Sequence, residues 1–296
     1  MSGLLLEILH QQYAREIYNS YLHILTNLYK ICFIQIIMKI PCDIIGDIAI
    51  LKFPFDMKAK EKEKIGKRFL KEHKNIKTIL EKVERIKGRL RKAKMRFVVG
   101  DDKRETIHSE NGCKFFLNVE ETYFSSRLSN ERKLIAEDIV KKVTKKKNKI
   151  LVMFAGVAPF PIVIAKMLKK AGKKAEIISN EINKKANKFA EKNIELNKVE
   201  EYVKIVSGDA SKLPEKLKNY KADFIVMPRP NLKKTFLDTA LKLSKKGTRI
   251  YYYGFGNKEE VLNEIKNEID KKIKIKIRKA GEIAPYKCRW LASFSV

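Results

Sequence analysis

From Lys149 to the end of the chain, short apolar runs alternate with amphipathic stretches, and few folds are compatible with that alternation. The strand-like runs are Ile150 to Phe154, Ala175 to Ser179, Val203 to Ser207, Phe224 to Met227 and Thr248 to Tyr253. Between them apolar residues recur at helical spacing. Ala186, Phe189, Ala190 and Ile194 share one face, while Lys184, Lys185, Lys188 and Lys192 point elsewhere. Strands joined through helices pair in parallel, because each helix carries the chain back to the same edge, and the helices then cover both faces of the sheet. After the fifth strand the pattern predicts a helix over about 258–270. Two extended runs follow, Ile273 to Lys279 and Tyr286 to Phe294, with Gly281 and Pro285 in the turn between them. The expected fold class is therefore α/β: a Rossmann-like parallel sheet ending in an antiparallel hairpin, preceded by small α+β modules.

Upstream, DIIGDIAIL (43–51) reads as a strand, a glycine turn and a second strand. A basic helical segment is expected from Lys58 to about Ile86, then a mixed module over 88–125 with strands at Arg96 to Val99 and Lys114 to Val119. The run KKVTKKKNK (141–149) reads either as a phosphate-contacting edge or, more commonly for such runs, as a solvated helix end. The expected organisation is an N-terminal extension over 1–37, a small β-rich module over 38–72, a second α+β module over 73–130 and a catalytic domain over 131–296. The extension carries only Arg15 and Lys30 as basic residues. Its apolar stretch from Ile31 to Met38 is interrupted by Gln35 and falls far short of the roughly 20 residues of a spanning helix. It reads either as a segment ahead of a start at Met38 or as an accessory helix.

Lysine and arginine number 65 against 35 acids, a formal charge of +30 spread along the chain. A polyanionic partner is expected. Nucleic acid fits better than a membrane, since a basic groove gains affinity from released counterions, whereas stable membrane attachment needs an inserted or acylated anchor as well. The plainer alternative is charge that serves solubility alone. Cys32, Cys42, Cys113 and Cys288 are scattered, without the close spacing of a metal knuckle or redox pair, and the four histidines form no ligand pattern. The expectation is a reduced, cytoplasmic protein with no metal site.

The turn MFAGVAPFPI (153–162) follows the first of these strands. Gly156 stands where backbone approaches a ligand, Ala155 and Ala158 flank it, and Pro161 suits the first turn of the next helix. Glu181 lies 25 residues after Gly156 at the end of the second strand, where an acid can accept ribose hydroxyls, and Asp209 in GDA follows the third strand, within reach of an adenine amino group. Each carboxylate alone is more often a helix cap. Three such features at adjacent strand ends favour a nucleoside cofactor. Without a GxGxxG or a phosphate-binding lysine, S-adenosylmethionine matches better than a pyrophosphate nucleotide.

Three strings carry a resemblance: DIIGDIAIL (43–51), NVEETYFSSRLSNER (118–132) and MFAGVAPFPI (153–162). Together they resemble the archaeal and eukaryotic tRNA (guanine-37-N1)-methyltransferases. The resemblance implies a class I S-adenosylmethionine-dependent methyltransferase. Its tRNA partner would be held at the elbow and the anticodon stem-loop, with the purine 3′ of the anticodon as target. It implies Glu131 as general base, Arg91 of GRLR as the partner of O6, and Pro228 beside the reacting base. The donor pocket would comprise Phe154, Ala155, Gly156, Val157, Glu181, Ile182, Asp209 and Ala210. Tyr123, Phe124, Arg127 and Arg229 would meet the substrate. Read without the resemblance, Glu131 is as well explained as a helix residue paired with Arg127 or Arg132, and Tyr123 and Phe124 as core aromatics.

The chain departs from the family at three places. Val152 stands where an aspartate is common, Ala158 replaces a glycine, and MPRPNL (227–232) has Pro228 in place of an asparagine. Losing that amide widens the space for the base. The proline resembles the archaeal branch that also methylates carbon 7 of 4-demethylwyosine. Two alternatives stand beside this reading: an aminocarboxypropyl transferase of the wyosine pathway, and a non-catalytic RNA-binding protein.

Overall fold

The computed structural model describes residues 17, 18, 20–22, 40–83, 93–144, 148–269, 273–284 and 287–296. Two strands, β1 (Cys42–Ile45) and β2 (Ile48–Leu51), form the expected hairpin over Gly46. Gly46 is required there. Its φ is +58°, and a Cβ would overlap the Thr106 hydroxyl and come within 2.6 Å of the Ile107 carbonyl oxygen.

Helix α1 (Ala59–Glu72) follows, and its amphipathic face buries Ile65. The expected helix over 58–86 stops at Glu72, and Thr78–Lys82 forms strand β3 instead. The physical reason lies in the sequence Thr-Ile-Leu, bounded upstream by a turn at Lys74 and Asn75. Buried on both sides, this β-branched run suits a central strand better than a helix face. Strand β4 (Met95–Gly100) completes a sheet of order β1-β2-β3-β4, in which only β2 and β3 are parallel. Strands from both sides of residue 72 share this sheet.

Strands β5 (Glu105–Glu110) and β6 (Cys113–Asn118) make a separate hairpin. The run ETIHSE of β5 is polar and only half buried, so it carries little apolar signal. A 3₁₀ turn (Ser126–Leu128) leads into α2 (Ser129–Lys142). The run at 141–149 spans the end of α2 and the start of the next strand, and residues 145–147 lie outside the described set.

The large sheet then builds in the expected alternation. Its elements are β7 (Asn148–Val152), α3 (Pro159–Lys170), β8 (Ala175–Glu181), α4 (Lys184–Leu196) and β9 (Val203–Ser207). Next come α5 (Leu213–Lys216), β10 (Ala222–Met227), α6 (Leu237–Lys242), β11 (Ser244–Gly256) and α7 (Lys258–Glu268). The hairpin β12 (Lys276–Ala284) and β13 (Lys287–Ser295) finishes it. Gly281 sits inside β12 at a shift of register rather than in the turn, and Pro285 lies outside the described residues.

The strand order is β12-β13-β11-β10-β7-β8-β9, parallel from β11 to β9 and antiparallel at β13 and β12. Alternate residues of each parallel strand enter cores on opposite faces. Ile150 and Val152 face the helices α2 and α3, while Leu151 and Met153 face α6 and α7. The first of these cores continues through Phe115 and Leu117 of β6 into Ile48 and Ile50 of β2, so the small sheet and the hairpin pack onto the large one. Among the described residues no helix is long and apolar enough to cross a membrane.

Helix α4 grips the β5–β6 hairpin through amides. Asn193 accepts the Phe116 N–H at 2.6 Å and donates to the Phe116 carbonyl at 3.0 Å. Asn197 does the same with Lys114, at 2.9 and 2.7 Å. At the other end of the helix Asn183, its N-cap, donates to the Glu121 carbonyl at 2.8 Å.

Candidate active site

In the large sheet, β7 has β10 on one side and β8 on the other, so the strand order reverses there and a crevice opens at the C-terminal strand ends. The turn after β7 is tightly wound, with φ of +57° at Phe154, +57° at Gly156 and +65° at Ala158. Two of these are not glycine, and left-handed backbone costs an L-residue about 1–2 kcal/mol. Ala158 caps α3, with Pro159 at its first position. The Ala155 N–H reaches across to the Asn180 carbonyl at 2.8 Å, which ties the turn to the neighbouring strand.

Glu181 ends β8 and folds back over this turn. One carboxylate oxygen accepts the Gly156 N–H at 2.9 Å and the other the Asn183 N–H at 2.8 Å. A Cβ at Gly156 would meet only the Tyr123 carbonyl oxygen, at 3.3 Å, so the glycine keeps a gap over the backbone where a ligand can lie. A cavity of about 270 Å³ opens here, with Phe154, Gly156, Glu181 and Ile182 on one side and Tyr123, Pro228 and Arg229 around the rest. The donor set is a carboxylate placed over a bare glycine turn between an aromatic and an aliphatic side chain. Such a set fits the ribose and adenine of S-adenosylmethionine.

The other expected donor-pocket residues sit differently. Ala155, Val157 and Ala210 are buried beneath the strand ends. Asp209 accepts the Ser211 N–H at 3.0 Å as the cap of a short 3₁₀ turn and is not among the residues lining the cavity. Its loop is held to the end of β8 by Asn180, which donates to the Gly208 carbonyl at 3.0 Å.

Beyond Tyr123 a second cavity of about 370 Å³ lies between the small sheet, the loop over 122–127 and the β12–β13 edge. The two cavities share Tyr123, Ile283 and Arg289 as a common wall. Lys52, Lys82 and Arg127 give the second cavity basic lining, alongside Asp43 and Glu282. Arg127 pairs with Asp43 at 2.7 Å. Phe124 lines this cavity while packing on His108, Phe115 and the guanidinium of Arg132.

The string YFSSRLSNER is held by Arg132, 1% exposed, whose guanidinium pairs with Glu110 and donates to the Ser125 carbonyl at 2.9 Å. His108 stands on the far side of Glu110 and accepts the Gly46 N–H on Nδ1, which assigns its proton to Nε2, facing the carboxylate. Burial pushes the Glu110 carboxyl up, but hydrogen bonds from His108 and Arg132 outweigh it, and the group lies below the usual carboxylate range.

Glu131, in the first turn of α2, is 6% exposed. Tyr253 of β11 donates to its Oε2 at 2.9 Å. Arg278 of β12 forks onto both oxygens, at 2.6 and 2.9 Å. Burial and the Glu131 charge drive the Tyr253 phenol well above its ordinary range, so it remains a donor. Tyr253 also lines the first cavity, whereas Glu131 lies behind it and is not among the residues lining that cavity.

Arg229 borders the cavity but is 3% exposed. Its guanidinium bonds the Leu232 carbonyl and Glu264, both at 2.8 Å, and lies over Tyr252 and Phe255. Its observed contacts brace the loop over 228–232. Arg91 lies outside the described residues. Sequence reasoning did not single out Tyr253, Arg278 or Arg289. The available signal for Arg278 was an arginine within a run otherwise made basic by lysine, a choice suited to a forked carboxylate contact.

The chain is similar to known proteins in sequence and in fold. The family described as the TRM5/TYW2 methyltransferase domain matches residues 106–279, and the TYW2 N-terminal domain matches residues 42–103. The tRNA (guanine(37)-N(1))-methyltransferase Trm5b of Pyrococcus abyssi is 39% identical over 215 residues, covering 72% of this chain and 59% of that protein. The tRNA (guanine(37)-N(1))/4-demethylwyosine(37)-methyltransferase Taw22 of Nanoarchaeum equitans is 34% identical over 278 residues, covering 77% of this chain and 88% of that protein. Among solved structures, a complex of aTrm5 and tRNALeu superposes with a TM-score of 0.73 at 27% identity, covering 86% of this chain and 72% of that one. This chain thus spans about 59% of the length of the Pyrococcus relative and most of the Nanoarchaeum one. With the family match running over more than half its length, the chain belongs to the family described as the TRM5/TYW2 methyltransferase domain.

Proposed function

We propose that this protein methylates N1 of guanosine at position 37 of tRNA, with Glu131 as the group that takes the N1 proton. The observation that carries the reading is the placement of Glu131. It is a buried carboxylate bound to a cavity-lining tyrosine, next to a strand-end pocket suited to the methyl donor. Guanine N1 holds a proton at neutral pH, so it becomes a nucleophile only as that proton leaves. When bound, S-adenosylmethionine supplies a methyl group on a positively charged sulfur, which departs as a neutral thioether. Across the step the N1–H bond breaks, an O–H bond forms on Glu131, and the freed N1 electron pair forms the bond to the methyl carbon. Glu131 enters anionic and ends as a neutral acid that returns its proton to water.

Glu181 and the Gly156 turn hold the donor. Tyr123 and Pro228 form the wall past which an unstacked base would enter, and base flipping into such a pocket suits a loop nucleotide that is not paired. The second cavity, with Lys52, Lys82 and Arg127, supports docking of the anticodon stem-loop phosphates. In this reading residues 131–296 are the catalytic unit, the preceding segments grip RNA, and the elbow contact falls to the N-terminal sheet. Arg91 is the proposed partner of O6, and Asp209 the proposed contact to the adenine amino group. A cytoplasmic setting is supported by Cys42, Cys113 and Cys288, which are free thiols.

A second activity, methylation of carbon 7 of 4-demethylwyosine, is supported by Pro228 on the cavity wall and by the likeness to Taw22. The test is to incubate the protein with labelled S-adenosylmethionine and tRNA carrying guanosine or 4-demethylwyosine at position 37. Label on both supports the dual activity. Label on guanosine alone removes the second activity, and label on neither removes the proposal.

A further inference from the structure

We propose that Arg278 is a positioning residue for the proton transfer, acting through Glu131. The inference rests on Glu131 as proton acceptor and goes beyond it by assigning a partner that controls that carboxylate. The guanidinium occupies both carboxylate oxygens in a two-point contact at 2.6 and 2.9 Å, the geometry that fixes the plane as well as the place of a carboxylate. The two residues are 147 positions apart, on the first turn of α2 and on the outermost strand of the large sheet. Tyr253 is the third donor to the same carboxylate.

The exposures of the partners are unequal. The Glu131 side chain is 8% exposed and that of Arg278 is 42% exposed, so the carboxylate is enclosed while the guanidinium that holds it still meets solvent. Ile283, farther along β12, lines both cavities, so the strand that carries Arg278 also forms the wall between them. The three donors to Glu131 leave a lone pair on Oε1 for a purine N1–H, while the guanidinium keeps the carboxylate in plane.

The charges then follow in order. Before transfer Arg278 balances the Glu131 carboxylate. As the proton moves, Glu131 loses its charge and the purine gains one, leaving the guanidinium as a fixed positive charge beside the developing anion. No proton leaves Arg278 at any point. Lysine cannot reproduce this, since it offers a single point of attachment without a plane.

The experiment compares wild type, Arg278→Met, Arg278→Lys, Glu131→Gln and the Arg278→Met/Glu131→Gln double variant on tRNA transcript, with kcat and KM measured separately. Arg278→Met is expected to lower kcat by about 10- to 100-fold with little change in KM for tRNA. Arg278→Lys should recover part of that loss. In the Glu131→Gln background the removal of Arg278 should have no further effect on kcat, because the group it acts through is already gone. That background strands no buried carboxylate, so a folding defect confined to the single variant does not void the comparison. An unchanged kcat in Arg278→Met overturns the proposal. So does a rise confined to KM, which would make Arg278 an RNA contact, and so does a further multiplicative loss of kcat in the double variant. Normal turnover by Glu131→Gln alone would overturn the proton-acceptor reading itself, an outcome distinct from all of these.

Discussion

The strand-end turn around Gly156 and the cluster around Glu131 are assembled differently. At the Gly156 end the contacts are local and depend on backbone: a turn with three left-handed residues, and a glutamate 25 positions away that accepts N–H groups from its own and the adjacent strand end. At the Glu131 end the contacts are between side chains, and the partners of Glu131 lie 122 and 147 positions away. The first end needs only a correctly ordered parallel sheet. The second also needs α2, β11 and β12 to be packed correctly against one another. Damage at the Gly156 end should therefore stay local, whereas damage at the other end should spread into folding.

The largest effect is expected at Arg132, which seats the segment carrying Glu131. Arg132→Met leaves Glu110 buried without its main partner, and breaking such a pair costs about 3–5 kcal/mol, read as a lower thermal midpoint and denaturant midpoint. Because the Glu110 carboxyl in the folded protein lies below its ordinary value of 4.5, its stabilisation is fully present above that pH and fades as pH falls through the lower, folded value. Acid titration of stability should show this in wild type and less of it in Glu110→Gln. Equal acid sensitivity in both would detach this network from the stability of the site.

A smaller and more confined loss is expected from Glu181→Ala. Removing the acceptor of the Gly156 N–H, which in the proposed reading also meets the donor's ribose, should weaken S-adenosylmethionine by roughly 10- to 100-fold in calorimetry, with the melting temperature nearly unchanged. A collapse of the fold in this variant would erase the contrast between the two ends. The smallest change is expected from Ala158→Gly. Relief of about 1–2 kcal/mol of left-handed strain is offset by a lost buried methyl worth about 0.8 kcal/mol and by a more flexible unfolded chain. The net should stay below about 1 kcal/mol of stability. A fall of many degrees would show that the methyl, rather than the backbone, organises the turn.

The same contrast explains what could be read from the amino acids. The parallel sheet was legible because Ile150, Ile177, Phe224 and Ile250 recur in apolar runs separated by helical spacing, a local property of the chain. Gly156 and Glu181 were legible for the same reason. Strand β3 was hidden by the lysines around it, which resemble a basic helix until the buried Thr78–Leu80 run is weighed. Gly281 looked like a turn residue and instead permits a register shift with φ of +135° in an edge strand. Tyr253 and Arg278 could not be paired with Glu131 by spacing, because no period links residues so far apart. Asp209 follows β9 as the sequence pattern suggested, and one of its oxygens caps the next turn through the Ser211 N–H.

The amides of α4 act as a two-tooth coupling between unlike lattices. Successive same-side residues of a strand are spaced by roughly 6.8 Å, and residues four apart on a helix by roughly 6 Å. Phe116 and Lys114 therefore mesh with Asn193 and Asn197 in one register only. Slippage by a single position would unseat all four bonds together, so the hairpin has no intermediate settings. With Asn183 fastened to Glu121 at its other end, the helix works as a strut. The hairpin is thereby fixed, through one rigid helix, to the residue whose N–H orients Glu181.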